Sequence, residues 1–442
     1  MTPAETILSE ASEPVGAFSH DEYYEVAAET LPGAGLGSYS LPDDVRFVIH
    51  KGAGSRLQDV RGRWYIDYVG GAGALVLGHA FPTVVDAVKD QAERGIHFFG
   101  TLNEQCIQLA EQLVPLIPCA DRVAFTTTGS EATAYAMRTA RAATGRSKVL
   151  KFEGGYHGNH DYSAFSVTPS ALSNYPQGQP ETGGLPANMV DNILVSPYND
   201  LDTARRIVEQ NCDDLAAIIV EPVQRVVFPK DDFLPGLRNI CDDNDILLIF
   251  DEVVTGFRLA LGGAQEYFGV LPDLASYGKI VGGGGPLGCV AGKAEYMDLM
   301  NPRNRGNANY SYVNGTLHGN PVAAVAGLAT LAELKKPSFY KDLHALADDV
   351  STACQKILDK NRVPAMATGK ASFWQILFLD RTPLSHADIM NSDLASSRAL
   401  DLAQMHEGLY VLPNVRRFVS AVHTGEDIEE TVRALDAACK RV

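Results

Sequence analysis

The sequence lacks any run of about 18 consecutive apolar residues, so no membrane-spanning helix is expected. It also lacks a C-x-x-C pair. Its seven cysteines (Cys106, Cys119, Cys212, Cys241, Cys289, Cys354 and Cys439) are odd in number and scattered. That argues against a disulfide framework or a zinc cluster and for reduced thiols in a cytoplasm. The opening MTPAETILSEASEPVG has neither a basic start nor an apolar centre, so no signal peptide is expected there. There is no G-x-S-x-G nucleophile motif, no internal repeat and no low-complexity tract. Positive charge is scarce: 37 Lys and Arg stand against 54 Asp and Glu, a formal net charge of −17. Nucleic acid and anionic membranes are therefore poor partners, and any anionic ligand must be held by local donors.

What is present is a chain of 442 residues, 45% hydrophobic, enough for a large core and more than one domain. An acidic helical stretch, His20–Leu31, precedes a Gly- and Pro-rich loop and then FVIHKGAGSRLQDVRGRWYIDYVGG, which reads as an antiparallel meander. From about Phe81 apolar strands alternate with amphipathic helices. Strands are expected at 123–126, 148–152, 216–220 and 245–250, and helices at 82–93, 104–116, 130–144, 234–244 and 321–334. Near-continuous apolar strands separated by helices imply a parallel sheet covered on both faces, an α/β fold. Residues 157–192 show no periodicity and are rich in Pro, Gly, Ser and Asn, which reads as a lid or binding loop.

Three constellations carry chemistry. In TTTGSEATAYAMRTARAATG (126–145) a strand feeds a turn and then a helix with Ala132, Tyr135, Ala136, Thr139, Ala140 and Ala143 on its apolar face and Gly145 as C-terminal cap. Gly129 and Ser130 at that helix N-terminus offer free amides and a hydroxyl to a phosphate; an ordinary capped helix is the alternative. Glu221 and Asp251 each follow a buried strand directly, at the strand end where open α/β sheets bind ligands, whereas Glu252 is expected to point away into solvent. Lys279 sits behind Tyr277 and Gly278 and ahead of Gly282–Gly285, where burial or a neighbouring cation would free its amine as a nucleophile.

Other readings fail. A P-loop would need a glycine where Asp273 stands, and GGGPLG (283–288) matches the dinucleotide pattern but follows a loop, with Pro286 inside it. His157, His160 and Asp161 have no third ligand cluster, so no metal is expected. A phosphate-binding helix end, a strand-end aspartate and a reactive lysine together are what pyridoxal 5′-phosphate (PLP) requires.

From about residue 30 to its end the chain resembles the class III aminotransferases of the fold-type I PLP enzymes, within them the glutamate-1-semialdehyde 2,1-aminomutase-like group. The resemblance is carried by GGAGALVLGHAFP (70–82), TTGSEAT (127–133), EGGYHG (153–158), VEPVQ (220–224), FDEVVTGFRLALGGAQEYFGVLPDL (250–274), GKIVGGGGPLG (278–288), GTLHGNP (315–321) and VHTGEDIEET (422–431). It implies Lys279 as the Schiff-base lysine and Asp251 as the partner of the pyridine nitrogen. Val253 and Tyr156 would flank the ring, His157, Glu221 and Gln224 would line it, and Gly129 and Ser130 would take the phosphate. Thr316 would join them from the second subunit of a homodimer. A large domain of 73–324 would carry the cofactor, with a small domain assembled from 1–72 and 325–442.

The chain also departs from that group. The aminomutases carry Ser-Pro-Val-Arg near the N-terminus, where the arginine holds substrate; here Gly37–Pro42 has no arginine and Leu41 stands near that place. Arg416 and Arg417 stand where the aminomutases carry an acid, and Arg225 where a glycine is common. Only one of two consecutive strand residues faces a given side, so Arg416 is the first expectation for a carboxylate anchor, Arg417 its alternate, and both solvated the competing reading. The expected activity is amino transfer between an amino acid, a β-amino acid included, and a 2-oxo acid; the alternative is an aminomutase or racemase.

Overall fold

The computed structural model describes residues 18–442, so the opening read for a signal peptide lies outside it. No helix of the described residues is long and apolar enough to cross a membrane. The expected meander is there: strands β1 (Ile49–Ala53), β2 (Arg56–Asp59) and β3 (Trp64–Asp67) pair antiparallel, with Leu57 opposite Gly52 on one side and Tyr65 on the other.

The central sheet has seven strands: β4 (Arg122–Thr126), β5 (Lys148–Phe152), β6 (Ile193–Ser196), β7 (Leu215–Val220), β8 (Leu247–Asp251), β9 (Leu274–Tyr277) and β10 (Gly288–Gly292), in the order β4-β10-β9-β8-β7-β5-β6. Strands β5 to β9 pair parallel. Alternation along them divides the core. Val149, Ile219 and Ile249 meet the helix Gly129–Thr144 on one face, while Leu150, Ile218 and Leu248 meet Leu234, Leu237 and Ile240 of the helix Phe233–Asp243 on the other. Being covered on both faces is why these strands read as unbroken apolar runs.

Two expectations need correction. The sheet is not wholly parallel, because β10 runs antiparallel to both β4 and β9, with Cys289 opposite Phe125 and Tyr277. Its sequence GCVAG is short, small and unalternating, so it gave no strand signal. The buried stripe of the helix Gly129–Thr144 holds Thr133 and Met137 in place of Tyr135 and Ala143. Met137 fills the space beneath the sheet, and the stripe turns toward it.

Beyond the central sheet, β11 (Met366–Thr368), β12 (Phe373–Leu377) and β14 (Arg417–Phe418) form a small antiparallel sheet. Strand β13 (Leu409–Tyr410) pairs parallel with β3, so the two ends of the chain share one sheet. The stretch 157–192 is irregular as far as a short 3-10 helix at Ala187–Asn192, and Ser163, Phe165, Ser166, Val167 and Ser173 within it are buried.

Candidate active site

The parallel register brings the strand-end acids together. Val220 pairs with Phe250 and Asp251 with Ser276, so Glu221, Asp251 and the Tyr277–Lys279 segment leave the sheet side by side. Asp251 is buried, and burial raises its carboxyl to about 7 although the Val253 N–H, 3.1 Å from Oδ1, and the charges of Lys279 and Arg416 pull the other way. Nδ1 of the buried His157 lies 2.7 Å from Asp251 Oδ2. Burial, aided by the Lys151 cation, pushes that imidazole down to about 3. A carboxylate facing Nδ1 takes its hydrogen bond from the ring, and Nε2 has no partner among the described residues.

Lys279 follows β9 with φ +55°, a left-handed conformation that costs a non-glycine residue roughly 1–2 kcal/mol. Strain of this kind collects at functional sites because the surroundings hold it in place. Burial lowers its amine to about 8; Arg416 lowers it further, against the pull of Asp251 and Glu221. An ordinary lysine near 10.4 is roughly 0.4% neutral at pH 8, whereas this one is about half neutral. Acylation of Lys279 in the cofactor-free protein is therefore expected to rise with pH through a midpoint near 8. In Arg416→Met the midpoint should move up, because a neighbouring cation no longer opposes protonation. Rates measured by mass spectrometry across pH 6–11 check both, and a midpoint near 10.4 in the parent protein would refute the shift.

Across the gap from Lys279, Thr128 caps the helix Gly129–Thr144, and the Glu131 carboxylate accepts the Thr127 and Thr128 amides. The first-turn amides of Gly129 and Ser130 have no intrahelical acceptor, and Gly129 packs against Gly278 after β9. A Cβ at Gly129 would stand 2.8 Å from both γ-methyls of Val253, so the two backbones approach as closely as they do only because residue 129 has no side chain. Gly158, at φ +98°, lets the EGGYHG loop lie on Ser130 in the same way. That loop presents half-exposed Tyr156, whose amide donates to Glu221 Oε2 at 3.0 Å, and Gln224 Nε2 donates to the Glu153 carbonyl at 2.5 Å.

The three arginines separate. Arg417 is buried, ion-paired with Asp401 and bonded to Gln404, and is spent on structure. Arg416, just ahead of β14, donates to the Arg225 carbonyl at 3.0 Å and approaches Glu221 Oε1 only to 3.8 Å. Burial brings its guanidinium down to about 10. Neither arginine is solvated, contrary to the competing reading: the Arg416 side chain is 11% exposed and that of Arg417 1%. Arg225 turns its guanidinium toward the carbonyls of Gly154 and Val167. Leu41 is half-buried against the main core, and Thr316 is exposed on the turn before the helix Pro321–Leu334. Glu252 is not solvated, as expected above, but fully buried. It accepts the Ala264 and Gln265 amides that open a short helix and the Thr255 hydroxyl, and burial raises it to about 6.

Among the described residues no cluster of three His, Cys, Asp or Glu is placed to hold a metal. The family described as aminotransferase class-III matches residues 39–437. The chain belongs to that family. A glutamate-1-semialdehyde 2,1-aminomutase of Methanocaldococcus jannaschii is 38% identical over 420 residues, covering 94% of this chain and 96% of the relative. An omega-transaminase from Sphaerobacter thermophilus superposes with TM-score 0.89 at 33% identity, covering 96% of this chain and 98% of the other. A beta-phenylalanine aminotransferase from Variovorax paradoxus gives TM-score 0.83 at 29% identity, covering 94% and 92%. The donor set of this class-III aminotransferase fits PLP. A helix N-terminus packs on the Gly278 backbone beside a half-buried, partly neutral lysine, and the strand-end carboxylate that raises this lysine's affinity for a proton bonds His157.

Two buried cations near the site went unread in the sequence. Arg258 donates to Ser372 Oγ at 3.0 Å and to the Gly73 carbonyl, and lies 5.0 Å from the Phe418 ring centroid. Arg416 lies 5.6 Å from the same centroid. Lys151 closes the list. A charged residue inside an otherwise apolar run, TGFRLAL or KVLKF, was the available signal in both cases.

Proposed function

We propose that this class-III enzyme is an aminotransferase that moves an amino group between a carboxylated amino acid, β-amino acids included, and a 2-oxo acid in a ping-pong cycle. The observation that carries the proposal is Arg416. Its guanidinium, 11% exposed, has no bidentate partner among the described residues and bears on the charge of Lys279, on a chain whose net charge of −17 makes a local cation necessary for a carboxylate.

Bound PLP supplies an electrophilic carbon for amines and a ring that takes up the electrons of a broken Cα–H bond. The chain's own residues do the rest. Lys279 Nζ, partly neutral, takes the proton from the substrate Cα and carries it across the site. Asp251, oriented by His157 and the Val253 amide, sets a negative charge opposite the ring nitrogen. Val253 and Tyr156 would flank the cofactor ring, Glu221 and Gln224 would border its hydroxyl edge, and Gly129 and Ser130 would hold the phosphate. Thr316, exposed in the single chain, would add its hydroxyl from a second copy, making a homodimer the catalytic unit. Residues 73–324 would form the large cofactor domain, with 1–72 and 325–442 the small one; the β3–β13 pairing supports the latter. Cysteines that are all free support a cytoplasmic location.

A second reading, an aminomutase, has one observation in its favour: the aminomutase relative is 38% identical over nearly the whole chain. Against it stands the N-terminal stretch without an arginine at Leu41. The two separate in a donor screen with pyruvate and 2-oxoglutarate, followed by cofactor absorbance, beside glutamate-1-semialdehyde without an acceptor. Turnover of donors only when a 2-oxo acid is present supports amino transfer, and acceptor-free conversion of the semialdehyde sinks it. Within the screen, Arg416→Ala is expected to weaken carboxylated donors by about 1.5–3 kcal/mol, the worth of a hydrogen bond to a charged group, and to spare simple amines. Equal losses on both would show that Arg416 does not read the carboxylate.

A further inference from the structure

Lys151 is the fourth residue of β5 and is fully buried. It continues the face that Val149 turns toward the helix Gly129–Thr144. No carboxylate pairs with it among the described residues. Its Nζ instead donates to three backbone carbonyls, Gly155 at 2.9 Å, Ser163 at 3.1 Å and Phe165 at 2.6 Å. All three belong to the loop that leaves β5, and the stretch they bracket contains Tyr156 and His157. Three acceptors require three N–H donors, which an ammonium has and a neutral amine does not. A buried cation without a counter-ion is costly, and burial draws this one down to about 7, so the arrangement persists against its own desolvation. The same loop is held from outside by Thr133, which donates to the His157 carbonyl at 2.5 Å.

We propose that Lys151 is a positioning residue whose ammonium gathers the carbonyls of Gly155, Ser163 and Phe165 as a bound cation would, and so fixes Tyr156 and His157 against Asp251. Its consequence for turnover rests on the proposed roles of Tyr156 and His157 at the cofactor ring; its consequence for the loop does not.

Lys151→Met keeps the length of the stem and removes all three donors, and Lys151→Gln keeps two. Hydrogen exchange of the full-length protein without cofactor should quicken at least tenfold in peptides covering 155–165 and stay unchanged in those covering 247–251. With PLP added, the visible circular dichroism of the bound cofactor should diminish, and kcat should fall at least tenfold with little change in KM. If the Met variant fails to fold, the Gln variant is read by the same criteria with smaller effects. Unchanged exchange at 155–165, or equal quickening everywhere, would overturn the proposal. Quickened exchange with normal dichroism and kcat would overturn the positioning role while leaving the loop anchor. Exchange is read without cofactor, so failure of the PLP reading leaves that half of the result intact.

Discussion

Lys279→Ala is expected to have no detectable turnover on any donor, and no covalent attachment of cofactor. The loss of the proton-transfer group alone would cost roughly 10²–10⁴-fold, and the loss of the covalent anchor adds to it. No other amine stands ready to substitute. Lys151 is fully buried, and its three protons are engaged by three carbonyls. The helix end at Gly129 is untouched by the change, so the variant should still take up PLP reversibly. Borohydride reduction followed by peptide mapping is the check. The parent should carry the label on Lys279 and the variant nowhere. A label on another lysine, with activity, would displace Lys279 from the centre of the site.

Asp251→Asn should bind PLP and link it covalently, yet turn over on the order of 10²–10³-fold more slowly, the range seen when one preorganised electrostatic partner of a reacting group is removed. The substitution is nearly isosteric, and its amide oxygen can still accept from His157 Nδ1–H, so the loss reports charge rather than shape. The carboxylate also supports protonation of Lys279, so its removal should move the Lys279 midpoint down, opposite to the shift in Arg416→Met. Asp251→Ala should be worse, because His157 Nδ1 would then lose its 2.7 Å partner inside the protein. Single-turnover absorbance separates binding from chemistry. A near-normal rate in the Asn variant would make Asp251 a structural acid.

The legible parts of this molecule were those where local chemistry and global position coincide. Strands β7 and β8 are buried on both faces, so their apolar runs stop abruptly where the chain meets an acid, and the stop is visible as sequence. Lys279 stood out because glycines are dense around it. The illegible parts depend on partners far along the chain. Glu252 reads as solvated because it alternates with Asp251 at the strand end, but its own side is covered by the turn at Gly263, which no local pattern announces. Arg416 and Arg417 are adjacent and identical in type. What divides them is Asp401, carried under Arg417 by the helix Leu394–His406, while Arg416, just ahead of β14, is left beside Glu221. Strand β10 was invisible because small residues pack between two neighbours without alternating.

That missed strand has a mechanical meaning. Gly288 is in register with Thr126 and Cys289 with Tyr277, so one hydrogen-bonded ladder joins the segment leading to the helix end at Gly129 with the segment leading to Lys279. The two groups proposed to hold opposite ends of the cofactor are thus bolted to a common beam. A fluctuation that tilts the beam carries both together and leaves their separation unchanged, so the span of the grip is set by covalent and ladder geometry rather than by the occupant.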